Sequence, residues 1–180
     1  MLMNAEQSCL LIVDVQERLA PAMSDPARVI RHCGILLQAA NRLSIPVVVS
    51  EQYPKGLGPT VQDLQPLLPP EGAAAKMQFS CAADPEILRR LHASQRKQII
   101  IAGIESHVCV LQTAIGLKEK GFNVFVVEDA SASRMPANEV LAADRMRQEN
   151  IALASTEMAI FEWLGKAGTL EFKELSALIR

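Results

Sequence analysis

The stretch QIIIAG at residues 98–103 is a short, nearly unbroken apolar run that ends in glycine, and it decides the fold. Four other runs share this character: residues 9–13 (CLLIV), 47–49 (VVV), 124–127 (VFVV) and 151–154 (IALA). Strands covered on both faces of a parallel sheet are nearly continuous in apolar residues, whereas half-exposed strands alternate. These runs therefore predict buried parallel strands, and a weaker sixth strand is expected at Ala73–Ala75 from its place in the series.

Amphipathic helices with recognisable ends are predicted between the strands. Asp25-Pro26 and Asp84-Pro85 each place a capping carboxylate before a proline that suits the first helical position. Gly121 is expected to end a helix that runs from near Cys109 to Lys120. Further helices are predicted from Pro136 to Asn150, from Glu157 to Leu164 and from Leu170 to Ile179. The alternation predicts one α/β domain over residues 1–180, a three-layer, doubly wound, Rossmann-like fold with a six-stranded parallel sheet.

Charge and composition narrow the classes of partner. The chain of 180 residues has 18 Lys and Arg against 20 Asp and Glu, a net charge of −2. This balance argues against nucleic acid and membrane surfaces as partners. No apolar run approaches the ~20 residues of a membrane span, and the first residues lack the basic start of a secretory signal. The four cysteines form no C-x-x-C pair, so we expect reduced thiols and a cytoplasmic location.

Candidate catalytic residues follow the predicted strands, because open parallel sheets bind ligands beyond the carboxyl ends of their strands. Asp14 ends the first apolar run, where partial burial favours proton transfer; the alternative is a helix-capping aspartate. Lys76 follows small residues and is either a site cation or a solvated surface lysine. No G-x-G-x-x-G or P-loop motif is present, so no nucleotide cofactor is expected.

Cys109 is the candidate nucleophile. It follows the strand at residues 98–102 and is predicted to open a helix. A thiol at a helix N-terminus faces unpaired N–H groups, which favour the reactive thiolate near neutral pH. The alternative is a small buried apolar residue, and the same alternative applies to Cys9, Cys33 and Cys81.

Three segments together resemble the isochorismatase-like cysteine hydrolase superfamily. They are DVQ at residues 14–16, Lys76, and GIESHVC at residues 103–109. The resemblance covers nearly the whole chain and implies the isochorismatase-like hydrolase fold. The stretch EQYPKGLGPT at residues 51–60 further resembles a subgroup of isochorismatase-domain hydrolases whose substrates are mostly unassigned.

The resemblance implies a catalytic triad in which Cys109 attacks, Asp14 transfers protons and Lys76 pairs with both. It also implies a cis peptide bond between Ile104 and Glu105. In the family this bond turns the Glu105 N–H toward that of Cys109, so that the two form an oxyanion hole. Two such donors would contribute several kcal/mol, since one is worth ~3–4 kcal/mol. Relatives of this type are usually oligomeric, and we expect a homo-oligomer.

The substrate pocket is expected to involve residues from several loops. Its candidates are Gln16, which orients the first loop or a substrate, Tyr53, Leu57 and Phe79 as an apolar lining, and Ser106 and His107. Ser106 and His107 stand where many relatives have Thr-Asp, which changes the pocket wall; His107 has either a titrating or a structural role. Nicotinamidases in the family bind a metal through histidines after the second strand, but this loop reads Glu51-Gln52-Tyr53. We therefore expect no metal.

These observations predict a metal-independent cysteine hydrolase that cleaves the C–N bond of a small amide, or a related acyl compound, through an acyl-enzyme on Cys109. Two other hypotheses remain open. One is a catalytically silent interaction or scaffold protein that kept the fold, suggested by the Ser106-His107 departure. The other is a thiol redox sensor, which needs a second cysteine close to Cys109.

Overall fold

A computed structural model describes residues 1–179 and contains a six-stranded, fully parallel sheet in the order β3-β2-β1-β4-β5-β6. The strands are β1 (Ser8–Val13), β2 (Val47–Gln52), β3 (Ala74–Lys76), β4 (Gln98–Ile104), β5 (Asn123–Ala132) and β6 (Ala152–Ala154). The helices are α1 (Pro26–Arg42), α2 (Pro54–Leu57), α3 (Pro85–Ala93), α4 (Leu111–Glu119), α5 (Pro136–Gln148), α6 (Thr156–Leu164) and α7 (Leu170–Ser176). The predicted fold class is confirmed.

The central strands are buried because both faces of the sheet are covered. Every residue of β1 and β4 is buried, as their nearly continuous apolar sequences predict. Successive side chains enter opposite layers: Leu10 and Ile12 pack with α1, α6 and α7, whereas Leu11 and Val13 pack with α3, α4 and α5. The result is a three-layer domain with one apolar core on each side of the sheet.

Helix starts agree with the capping residues in the sequence. The Asp25 carboxylate accepts a hydrogen bond from the Arg28 backbone N–H, and Asp84 does the same for Glu86 and Ile87. Gly121 has the left-handed φ of +88° and follows the last turn of α4 as predicted. Within residues 1–179, no helix combines the length and the apolar character that a membrane crossing requires.

Several boundaries differ from the prediction. Lys76 is the last residue of β3 rather than the residue after it. The strand expected at residues 124–127 is longer: β5 runs to Ala132, and its pairing with β4 shifts register between Ile101 and Gly103. Helix α7 ends at Ser176, before the expected Ile179. The register shift and the helix end depend on tertiary contacts, which local patterns do not reveal.

The strand order positions the site. The chain runs outward from β1 through β2 to β3 and then returns to place β4 on the other side of β1. This change of direction creates a crevice at the carboxyl ends of β1 and β4, the usual ligand site of an open α/β sheet. The residues after β1 and β4 include Asp14 and the segment Glu105–Cys109.

Candidate active site

Asp14 lies directly after β1 and is completely buried. Its φ of +54° is left-handed, a conformation that aspartate tolerates better than most residues. Lys76 Nζ donates to Asp14 Oδ2 at 2.7 Å, and Ser50 Oγ donates to Oδ1 at 2.7 Å. Each carboxylate oxygen therefore has a donor, and the charge of Asp14 is balanced by a cation.

Lys76 is a buried lysine with all of its ammonium donors used. Nζ donates to Asp14 Oδ2 and to Gln52 Oε1, at 2.7 and 2.6 Å, and to the Phe79 carbonyl at 3.1 Å. An ammonium group has three N–H donors, so these partners satisfy it. Gln52 is held in turn because its Nε2 donates to the Met77 carbonyl at 2.8 Å. The geometry keeps the cation beside Asp14.

Cys109 lies in a π-helical turn, Ser106–Val110, that leads into α4. The prediction that Cys109 opens an α-helix is wrong in this respect: the turn has already begun at Ser106. The thiol is nearly buried, with 5% of the residue exposed. Single π-turns inserted at helices are rare and often occur at functional sites.

The ionisation of Cys109 also differs from expectation. Burial, followed by the negative charge of Asp14 and a hydrogen bond with its side chain, raises the pKa of the Cys109 thiol to about 12, although Lys76 lowers it. The expectation of a stable thiolate near neutral pH is therefore wrong. Desolvation and a nearby carboxylate outweigh the lysine charge and the helix dipole. These surroundings favour the neutral form of the Cys109 thiol.

The backbone between β4 and the π-turn contains a cis peptide bond, Ile104-Glu105, at the position that the resemblance implies. The Glu105 carbonyl accepts hydrogen bonds from the N–H groups of Val108 and Val110, at 3.0 and 3.2 Å. The Glu105 carboxylate accepts from Arg134 Nε at 3.0 Å and from the Arg134 backbone N–H at 3.1 Å. These contacts connect the segment before Cys109 to the end of β5.

Residues of the expected pocket have different surroundings. Gln16 is completely buried; its amide donates to the carbonyls of Gln52 and Gly58 at 3.0 and 2.7 Å and accepts from the Gln52 N–H at 2.7 Å. Its contacts support the loop-orienting role. Leu57 is half-buried and its carbonyl accepts from the Arg18 N–H at 3.0 Å.

Two aromatic candidates adjoin Lys76 through the backbone. Tyr53 and Phe79 are 48% and 55% exposed, so they lie at the surface beside the buried ion pair. The Tyr53 N–H donates to the Lys76 carbonyl at 2.9 Å, and the Phe79 carbonyl accepts from Lys76 Nζ. The Tyr53 ring covers Gly56, where an added Cβ would lie 2.4 Å from the ring. The Tyr53 ring is therefore held in one position at the surface by its contact with Gly56.

Ser106 and His107 flank the nucleophile on the side of β5 and α5. His107 Nδ1 lies 2.9 Å from Ser133 Oγ, and its Nε2 lies 3.4 Å from Asn138 Nδ2. These contacts agree with the structural role left open above. Ser106 is buried and lines a cavity of 730 Å³ between β5, β6, α5 and α6, whose lining does not include Cys109.

The sequence analysis assigned no role to several polar residues that support the site. Ser50 and Gln52, two residues apart on β2, contact Asp14 and Lys76 respectively. Cys81 donates to Ser50 Oγ at 3.5 Å, and Arg134 binds Glu105. The period of two along β2 shows only that Ser50 and Gln52 share a face. Their partners come from other strands, so local sequence contains no signal for these contacts.

The described part of the chain contains no cluster of three or more His, Cys, Asp or Glu residues arranged to hold a metal ion. All four cysteines are free and buried. The two carboxylate oxygens of Asp14 accept hydrogen bonds from Ser50 and Lys76.

Known proteins resemble the chain over nearly its full length. The isochorismatase domain model matches residues 8–158. The secreted isochorismatase effector Isc1 of Phytophthora sojae is 40% identical over 178 residues, 96% of this chain and 84% of the relative. Isochorismatase domain-containing protein 2 of Xenopus laevis is 34% identical, and the alignment covers 98% of this chain and 85% of the relative.

Solved structures share the fold closely. The MAR1 ribonuclease from Caenorhabditis elegans superimposes with a TM-score of 0.92 at 37% identity, covering 99% of this chain and 92% of that one. The YcaC gene product from Escherichia coli, described as an octameric hydrolase of unknown specificity, gives a TM-score of 0.93 at 25% identity, with 99% and 90% coverage. Together with the family match, these similarities show that the chain belongs to the isochorismatase domain family of hydrolases.

Proposed function

We propose that this protein is a metal-independent cysteine hydrolase that cleaves the C–N bond of a small amide, or a related acyl compound, through a thioester on Cys109. The observation that carries the proposal is the buried ion pair between Asp14 and Lys76, with Nζ 2.7 Å from Oδ2. Cys109 follows β4, which neighbours β1 in the sheet, and the pKa of its thiol responds to both charges. A nucleophile with an adjacent base, itself held by a third group, is the arrangement of covalent catalysis.

The reaction begins with a proton transfer. The Asp14 carboxylate takes the thiol proton as the Cys109 sulfur attacks the carbonyl carbon, and the carbonyl oxygen becomes an oxyanion. The backbone N–H groups of Glu105 and Cys109 are assigned to stabilise that oxyanion. Asp14, now protonated, gives its proton to the leaving nitrogen, the C–N bond breaks, and an acyl thioester remains on Cys109.

Hydrolysis of the thioester uses the same groups. The Asp14 carboxylate accepts a proton from water as the oxygen attacks the thioester carbonyl. The C–S bond then breaks, the sulfur recovers the proton from Asp14, and the carboxylic acid product leaves. Lys76 takes no proton in this scheme. Its charge partly offsets the rise in the pKa of Cys109.

A substrate screen against matched variants tests the proposal. Amides, carbamoyl compounds and esters are incubated with the wild type, Cys109→Ala and Cys9→Ala, since Cys9 is a buried thiol at the opposite end of β1. We expect turnover in the wild type and in Cys9→Ala, none in Cys109→Ala, and an acyl adduct on the Cys109 peptide by mass spectrometry. Unchanged turnover in Cys109→Ala overturns the mechanism, and no turnover of any compound favours the scaffold protein.

RNA is a necessary arm of that screen because the C. elegans relative is called a ribonuclease. The net charge of −2 and the absence of a basic run in the sequence do not favour a polyanionic substrate. We therefore expect no RNA cleavage that depends on Cys109. Cleavage that Cys109→Ala abolishes would replace the amide assignment.

We also propose a homo-oligomer in the cytoplasm. The E. coli relative is octameric, and α5 and α6 of this chain expose large apolar side chains, namely Val140, Leu141, Met158 and Phe161. Four free cysteines suit a reducing compartment, although the P. sojae relative is called a secreted effector. Light scattering after gel filtration measures the assembly, and a monomeric mass would contradict it. Fractionation of the source cells tests the location.

A further inference from the structure

Ser50 is a buried serine that joins β2 to the proposed base. It is completely buried, and its hydroxyl donates to Asp14 Oδ1 at 2.7 Å. The Asp14 N–H donates to the Ser50 carbonyl at 3.1 Å, which extends the parallel pairing of β1 and β2 beyond Val13. Ser50 therefore holds Asp14 by both its side chain and its backbone.

A second thiol determines the direction of the Ser50 hydroxyl. Cys81 Sγ donates to Ser50 Oγ at 3.5 Å. Cys81 is itself completely buried, and its backbone N–H is fixed on Thr113 Oγ1 at 2.9 Å. A hydroxyl group has one proton to donate, and an ionised carboxylate can only accept. With the thiol proton aimed at its oxygen, Ser50 directs its own proton to Asp14.

We propose that Ser50 is a positioning residue, which holds the Asp14 carboxylate in the orientation that suits proton transfer with Cys109. This inference rests on the proposed function for the transfer step. Three titratable groups lie around Asp14 and Ser50: Lys76 from β3, Cys109 from the π-turn, and Cys81 from the 3₁₀ turn Cys81–Ala83. Lys76 supplies charge, whereas Ser50 supplies a directed neutral donor to the other oxygen.

Removing the hydroxyl has a defined direction of effect. In Ser50→Ala the carboxylate loses one of its two donors and is less restrained. We therefore expect kcat to fall about tenfold, given the strength of such bonds, while KM stays near the wild-type value.

The experiment uses the full chain and two readouts. Protein labelled with ¹³C at the aspartate side-chain carboxyl is examined by NMR at pH 7, and the Asp14 signal is identified by its loss in Asp14→Asn. The values of kcat and KM are measured on any substrate found in the screen. The variants are Ser50→Ala, Ser50→Thr, which keeps a hydroxyl, and Ser8→Ala. Ser8 is equally buried but lies at the opposite end of β1.

The outcomes separate this inference from the proposed function. We expect the Asp14 signal to move in Ser50→Ala and to stay near the wild-type position in Ser50→Thr and Ser8→Ala, and kcat to fall in Ser50→Ala alone. An Asp14 signal at the wild-type position in Ser50→Ala, or an unchanged kcat, overturns the inference, because a merely structural serine would change stability alone. A displaced signal in a protein that turns over no substrate supports the positioning of Asp14 and removes the proposed function.

Discussion

Asp14 and Lys76 form an ion pair whose two side chains are fully buried, with Nζ 2.7 Å from Oδ2. Taking both charges out of water is costly, so such pairs contribute less to stability than their distance suggests. The surrounding donors and acceptors, Ser50 on the carboxylate and Gln52 on the ammonium, reduce that cost. The pair is better explained by the proposed proton transfer than by the stability it adds.

Breaking this ion pair on one side is predicted to destabilise the fold strongly. In Lys76→Met the Asp14 carboxylate remains buried without its cation, and removing one partner of such a pair costs about 3–5 kcal/mol. The double variant Asp14→Asn/Lys76→Met leaves no buried charge and should lose less. Urea unfolding at pH 7 measures both free energies of unfolding.

The exposed pair of Arg89 and Glu86 is the control for this comparison. Solvent-exposed ion pairs contribute little, so Arg89→Met should unfold at nearly the wild-type urea concentration. If Lys76→Met were as stable as the double variant, the lone carboxylate would have to be solvated, and the buried pair described above would be wrong.

The sheet and the location of the site were predictable because each depends on local or topological regularities. The apolar runs at residues 9–13 and 98–102 became β1 and β4, and the doubly wound order brought their carboxyl ends together. That strand order explains why Asp14 and the segment Glu105–Cys109 lie at the same edge of the sheet. Any sequence with this alternation directs attention to the same edge of the sheet.

The chemistry of the site was less predictable, since it depends on distances between separate segments. The pKa of Cys109 reflects burial and the charge of Asp14, and neither is encoded beside the thiol. The role proposed for Ser50 depends on its contacts with Cys81 and Asp14, which are 31 and 36 positions away. The π-turn likewise depends on how the backbone satisfies its hydrogen bonds after Ile104.

Gly103→Ala is predicted to lower the free energy of unfolding by disturbing the strands that hold Asp14. Gly103 pairs with Val13 across β1 and β4 and has a φ of +122°. A Cβ at this position would lie 2.1 Å from the Val13 carbonyl oxygen, so the backbone next to Asp14 must move. Strain and overpacking together should cost about 3 kcal/mol or more, measured by urea unfolding.

Gly121→Ala is the matched control because that glycine also has a positive φ, +88°, but nothing lies within 4 Å of an added Cβ. Only the conformational penalty of about 1–2 kcal/mol applies there. Equal losses in the two variants would mean that the contact with Val13 contributes nothing.

Alkaline pH is predicted to destabilise the protein through its buried thiols. Burial raises the pKa of Cys9 and Cys81 to about 11 and of Cys109 to about 12, and it also raises the pKa of Cys33. Thiols in the unfolded chain ionise near pH 8.5, whereas the folded chain keeps them neutral to a higher pH. The contribution of these thiols to folding stability is therefore complete below pH 8.5 and is lost as the pH rises toward the pKa values of the folded protein. Each thiol should lower the free energy of unfolding by about 1.4 kcal/mol per pH unit over that range.

Urea unfolding between pH 8 and pH 10 measures this slope, and Cys33→Ala supplies its control. The alanine variant should be less stable because a cavity replaces the thiol. Its free energy of unfolding should fall less steeply with pH, because one fewer proton is released on unfolding. An unchanged slope would show that Cys33 ionises alike in the folded and unfolded chains.

Asp14→Asn is predicted to change turnover and thiol reactivity in opposite directions. The Asp14 charge and hydrogen bond help to raise the pKa of Cys109, whereas Lys76 lowers it, so the asparagine variant should have a lower thiol pKa than about 12. Alkylation of Cys109 by iodoacetamide at pH 8.5 should accelerate about tenfold for each unit by which the thiol pKa falls. Amide turnover should fall roughly 10²–10⁴-fold because the general base is lost. Peptide mass spectrometry locates the alkylated residue, with Cys109→Ala as the blank. Slower alkylation together with lost turnover would mean that Asp14 activates the thiol in its resting state, contrary to the ionisation described above.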